Sequence, residues 1–108
     1  MSKNQRRKGA QWERDIVIAL KAHGFDATRT APMQTDGLPY PDVTASPLWI
    51  EAKCGAQPPI IRGLAQAESN MPAEAGWIAV CVAKSDRRPP TVTMRWSDFL
   101  DLLREWAE

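Results

Sequence analysis

Cysteine and histidine are nearly missing from this 108-residue chain, which has Cys54, Cys81 and the single His23. A four-ligand zinc site would need carboxylates to fill it, so structural zinc and histidine-centred catalytic motifs are excluded as working readings. Both cysteines fall in apolar segments, where a buried free thiol is expected rather than a disulfide scaffold. Long apolar runs are absent too. The longest, Trp77 to Ala83, is seven residues, against the roughly 20 needed to cross a bilayer, and the N-terminus carries no apolar signal region. The expectation is a soluble, cytoplasmic chain without a membrane span. Glycine is sparse, at 6 residues, and shows no period, while 44% apolar and 25% charged side chains are ordinary globular values. Collagen, repeat arrays and disorder are thereby set aside in favour of one domain with a modest core.

The net charge of +1 hides a segregation. Lys3, Arg6, Arg7 and Lys8 precede any acid, Arg87 and Arg88 form a second cluster, and Asp98, Asp101, Glu105 and Glu108 oppose only Arg104 at the end of the chain. Residues 1–8 therefore read as a basic arm able to bind phosphate, or as a solubilising tail, ahead of a single domain over 9–108.

Trp12, Ile16, Val17, Leu20 and His23 recur at helical spacing before Gly24, which predicts an amphipathic helix over 9–23. Alternation predicts a strand over 25–30. Pro32, Gly37, Pro39 and Pro41 then impose an irregular loop. Two strands, 41–45 and 48–54, flank Ser46-Pro47 closely enough for a tight antiparallel hairpin. A second helix over 60–70 follows, then a strand over 77–83 apolar enough to be buried on both faces, a strand over 91–95, and a last helix that Ser97 would cap and Asp98 would favour. The order is helix, three strands, helix, two strands, helix: an α/β sandwich around one mixed sheet.

The hairpin carries the chemistry. A turn symmetric about Ser46-Pro47 places Asp42 opposite Glu51 and Tyr40 opposite Lys53, and alternation puts Thr44 and Trp49 on that same face. Val43, Ala45, Leu48, Ile50, Ala52 and Cys54 line the other, core face. Two carboxylates so placed repel each other unless a cation joins them. Magnesium, which takes oxygen ligands and is often held by one or two carboxylates, is the natural guest. Lys53 points the same way and can orient a metal-bound water or neutralise charge on a phosphate. Glu13 shares the helical stripe of Ile16, Val17 and Leu20. Alone, it would be read as an acid complementing the helix dipole; beside the hairpin set it is a third carboxylate.

Glu13-Arg14, Gly24-Phe25, Arg29, Pro41-Asp42-Val43 and Ile50-Glu51-Ala52-Lys53 together resemble the PD-(D/E)XK nuclease superfamily, most closely its archaeal-type Holliday junction resolvase branch. Residues 61–68 and 92–99 resemble short bacteriophage-encoded members. The resemblance implies a restriction-endonuclease-like three-layer core, a central mixed β-sheet flanked by helices. It implies that Glu13, Asp42, Glu51 and the backbone carbonyl of Ala52 hold Mg2+, for which Mn2+ can substitute, and that Lys53 serves the attacking water. Arg14 and Arg29 would contact the scissile or a neighbouring phosphate. Lys3, Arg6, Arg7, Lys8 and Arg62 complete the expected DNA-binding set. The loop from Pro32 to Tyr40 departs from the short Ser/Gly-rich loop of such resolvases, and so does the nearly neutral net charge.

The expected activity is magnesium-dependent hydrolysis of DNA phosphodiesters, with branched four-way junctions as substrate, in a bacterial or phage-infected cell. A two-fold symmetric junction calls for a homodimer, joined through Phe99, Leu103 and Trp106 of the last helix or through the Trp77 strand edge. The alternatives are a flap or single-strand nuclease with the same site and a non-catalytic DNA-binding module. Trp12, Trp77 and Trp106 read as core or interface anchors, Trp49 as packing under the first helix or lining a DNA groove, and Arg62 and Gln66, one helical turn apart, as able to approach a phosphate but by default solvated polar groups of a helix.

Overall fold

A computed structural model of the chain describes residues 3–30 and 37–108. Most of the Pro32-to-Tyr40 loop anticipated above, residues 31–36, lies outside the described residues. Helix α1 (Lys3–Ala22) leads to β1 (Thr28–Arg29), β2 (Val43–Ala45), β3 (Leu48–Gly55), α2 (Ile60–Asn70), a one-turn 3-10 segment (Ala73–Ala75), β4 (Ile78–Ser85), β5 (Thr91–Thr93) and α3 (Trp96–Ala107). The five strands form one mixed sheet in the order β1-β2-β3-β4-β5. Neighbours run antiparallel except β3 and β4, which are parallel and joined through α2. The expected α/β architecture, a mixed sheet flanked by helices, is what the chain adopts.

Three local expectations need correction. α1 begins at Lys3 rather than at residue 9, so the basic residues of the expected arm occupy its first turns, and Glu13 sits mid-helix, away from the N-terminal dipole. β1 is shorter than 25–30 because Phe25 belongs to the helix end. Gly24 adopts φ 90, a left-handed value that favours glycine, and the Phe25 N–H donates to the Leu20 carbonyl at 3.0 Å, closing the helix before the strand can start. Ser97 does not cap α3. Arg95 takes the N-cap position with no side-chain cap bond, and Ser97 lies inside the first turn.

Both faces of the sheet are covered. On one, Trp12 and Ile16 of α1 pack against Val43, Ala45, Ile50 and Val80, and the Trp12 indole N–H reaches the Val82 carbonyl at 3.1 Å. On the other, Leu64 and Ala67 of α2 belong to two clusters that hold Trp49 and Ala79, and Cys81 and Ala83. A bidentate Arg95–Glu68 pair at 2.7 and 2.8 Å fastens α2 to the segment after β5. Each fully buried aliphatic side chain, such as Ile50 or Val80, contributes ~1.5–3 kcal/mol. α3 lies apart from this packing and buries none of its residues. Among the described residues no helix is long and apolar enough to cross a membrane.

Candidate active site

The two-residue turn at Ser46 and Pro47, whose peptide is cis, sets the register Val43↔Ile50, Thr44↔Trp49 and Ala45↔Leu48. Beyond Val43 the ladder is irregular: the Asp42 N–H donates to the Ile50 carbonyl at 2.9 Å, one residue out of the Val43↔Ile50 register, and the Asp42 carboxylate lies beside that of Glu51. A second bond fixes its carboxylate: the Ala52 N–H donates to Asp42 Oδ2 at 2.9 Å. The Asp42 carbonyl accepts from the Thr30 N–H at 3.2 Å, tying the end of β1 to the same point.

The face that carries Glu51 and Lys53 is covered by α2. Trp49 on that face is buried beneath α2, not α1, with its ring edge-on to Trp77 at 6.3 Å. That contact partly covers Trp77, which precedes β4, while β5 pairs with β4 only from Cys81 to Ala83. Glu51 retains only 4% of its exposure. Its pKa is pushed up to about 7, first by burial and then by the charge of Asp42, against an opposing pull from Lys53. Lys53 Nζ lies 3.5 Å from Glu51 Oε1 and donates to Gln66 Oε1 at 3.0 Å.

Glu13 reaches the site from the other layer. Arg29 Nε donates to Glu13 Oε1 at 3.0 Å. Burial and the charge of Asp42 raise the Glu13 pKa, while the Arg29 hydrogen bond and charge, and the charge of Arg14, lower it. A cleft of about 730 Å³ joins Arg6, Lys8, Glu13, Arg29, Asp42 and Lys53; a smaller one of about 350 Å³ joins Tyr40, Asp42, Glu51, Gln66 and Asn70. Asp42 and Tyr40 line both. The structure thus brings Asp42, Glu51 and Lys53 together and sets Glu13 on the far side of Asp42, paired with Arg29. Among the described residues no group of three or more His, Cys, Asp or Glu side chains is close enough to hold a metal ion. Arg14 and Arg29 both border a shallow groove behind the first cleft. Lys3, Arg7 and Arg62 are exposed and border none of these three clefts.

Sequence reasoning missed Gln66 as a partner of Lys53. It also missed the close approach that allows this contact: a Cβ on Gly63 would lie 2.7 Å from Cys81 Sγ and 3.0 Å from Lys53 Cγ. One signal was available. A face bearing Trp49 must be covered, and α2 is the helix that connects the two parallel strands β3 and β4.

A mixed sheet between helices, with an acid pair and a lysine on its central hairpin, defines a restriction-endonuclease-like protein of the PD-(D/E)XK type. Residues 4–68 match the family described as archaeal Holliday junction resolvase (Hjc). The chain belongs to that family. No curated protein sequence matches it. Among solved structures it is similar to the 1.6 Å structure of Archaeoglobus fulgidus Hjc, a Holliday junction resolvase from an archaeal hyperthermophile, with a TM-score of 0.58 and 24% identity over 78% of this chain and 73% of that one. At that identity the likeness speaks for the fold.

Proposed function

We propose that this chain is a magnesium-dependent endodeoxyribonuclease that cuts branched DNA, four-way junctions first, as a homodimer. The observation that carries the reading is the Asp42–Glu51 pair beside Lys53, in a chain of the resolvase family. Two adjacent carboxylates, one of them buried and raised toward neutrality, are a donor set short of a cation. Hard oxygen ligands of this kind suit Mg2+ or Mn2+. Asp42, Glu51 and the Ala52 carbonyl would hold it, and Glu13 would join them from across the cleft. The bound ion would supply Lewis acidity at the scissile phosphate and a water of lowered pKa.

The protein's own groups do the rest. Lys53, steadied by Gln66, presents an ammonium to the attacking water or to charge growing on the phosphate. Arg29 is the group that the substrate phosphate would draw from Glu13, which frees that carboxylate for the cation; Arg14 stands beside it. Lys3, Arg6, Arg7, Lys8 and Arg62 supply sequence-independent phosphate contacts.

α3 supports the homodimer. Isolated helices of its length are marginal in water, yet it exposes Trp96 (71%), Trp106 (84%), Phe99 and Leu103. A second copy covering this stripe would stabilise it and would set two sites against opposed strands of a junction. The test is parallel cleavage of labelled four-way junction, flap, duplex and single-strand DNA with Mg2+, with Mn2+ or with chelator. Metal-dependent paired nicks in the junction are expected. Preferential cutting of flaps or single strands would replace the substrate assignment, and chelator-resistant cutting would overturn the metal assignment.

A further inference from the structure

The β4–β5 turn carries a second concentration of positive charge that the proposed cleavage site does not use. It is built rigidly. The Arg88 N–H donates to the Ser85 carbonyl at 3.1 Å, Pro89 and Pro90 follow, and the Asp86 N–H donates to the Gly55 carbonyl at 2.9 Å, so the turn is bolted to the end of β3, two residues beyond Lys53. Arg87 holds φ 63. A side-chain-bearing residue pays ~1–2 kcal/mol for that left-handed conformation, which glycine would adopt freely.

Charge distribution gives the turn a direction. Asp86, the one acid there, is taken up by Lys8 at 2.9 Å. Lys8 and Gly55 both line the larger cleft, as does Arg6. Lys84, Arg87 and Arg88 are exposed and have no ion-pair partner among the described residues. Lys8 and Asp86 cancel one another, which leaves Arg6, Lys84, Arg87 and Arg88 as a strip of four positive charges. It runs from the cleft wall, across the Lys8–Asp86 bridge, to the tip of the turn.

We propose that Arg87 and Arg88 form a second phosphate-binding surface, which grips the backbone of a duplex DNA arm where it leaves the cleft. This inference rests on the nuclease reading above. The ligand chemistry is a row of backbone phosphates rather than base edges, since two arginines on a turn offer charge and forked donors but no groove-entering element.

The test is binding of the full chain to long-armed and short-armed four-way junctions across a salt series, for the wild type, Arg87→Ala/Arg88→Ala and Arg87→Lys/Arg88→Lys. For long arms, the alanine pair should weaken binding roughly tenfold at low salt and reduce the slope of log affinity against log salt by about 1 to 2, since each phosphate contact adds about 0.9. For short arms that end before the turn it should change neither, and the lysine pair should restore the slope. An unchanged slope on long arms, or an equal loss on both, overturns the inference. If the wild type cuts a junction normally while the alanine pair binds like it, this inference alone fails; if the wild type neither binds nor cuts DNA, the nuclease reading fails with it. Both residues are solvent-exposed, and an unfolding midpoint equal to wild type shows that the readout is binding.

Discussion

Lys53 donates a 3.0 Å hydrogen bond to the side-chain oxygen of Gln66, which reaches it from the helix packed over that face of the sheet. The amide oxygen gives the ammonium a neutral partner beside the acidic Glu51 and restricts a four-carbon stem that would otherwise sample many rotamers. Replacing Gln66 with Leu should lower turnover roughly tenfold or more, the scale of one hydrogen bond to a charged group, with little change in junction affinity. Single-turnover cleavage and equilibrium binding measured side by side check this. Weakened binding with normal cleavage at saturation would make Gln66 a DNA contact instead.

Glu51 makes the metal-free protein sensitive to pH. Its folded-state pKa is raised to about 7 by burial and by Asp42. Below the ordinary carboxylate range it is protonated whether folded or unfolded and costs nothing. As pH rises from about 4.5 to 7, the unfolded chain ionises freely and the fold loses stability. Glu51→Gln should therefore be more stable than wild type above pH 7 by about 1–3 kcal/mol, and equal to it near pH 4. Urea unfolding in chelator at both pH values tests the sign. Added magnesium should stabilise the wild type and leave the variant unmoved.

Gly63→Ala would ordinarily favour a helix by ~1 kcal/mol. Here the new methyl meets Cys81 Sγ at 2.7 Å, on a strand residue with no exposed surface, and the Lys53 stem at 3.0 and 3.3 Å. Net destabilisation of ~1–3 kcal/mol is expected. The double variant Gly63→Ala/Cys81→Ala should recover part of that loss in denaturant unfolding, because it removes the closest obstacle. No recovery would place the clash on Lys53.

Leu103→Glu on α3 should convert a dimer to a monomer by light scattering at micromolar concentration, with the strand signature of the domain retained, because α3 buries none of its residues. Wild type that is monomeric with and without junction DNA would remove α3 as an interface and favour a simpler nickase.

The hairpin of the candidate site was legible from sequence because its determinants are local. A two-residue connection leaves one register, and alternation then assigns Glu51 and Lys53 to one face, with Asp42 beside them just past the end of regular pairing. α2 was legible to the residue, its 60–70 window matching Ile60–Asn70. The start of α1 was not. Lys3 to Lys8 show no apolar period, and Lys8 pairs with Asp86, 78 residues away in the chain, a contact that no local pattern signals.

What the sequence by itself determined is the set of elements, the hairpin register and the acid pair across it, all consequences of backbone periodicity within a dozen residues. Only the tertiary structure decided which layer covers which face. It placed α2 over Glu51, so that burial rather than composition sets that carboxyl's charge, and it brought Gln66 to Lys53. It set Glu13 against Arg29 and left α3 uncovered. Periodicity says which side chains share a face. What lies opposite that face depends on packing between segments far apart in the chain, and no local pattern encodes it.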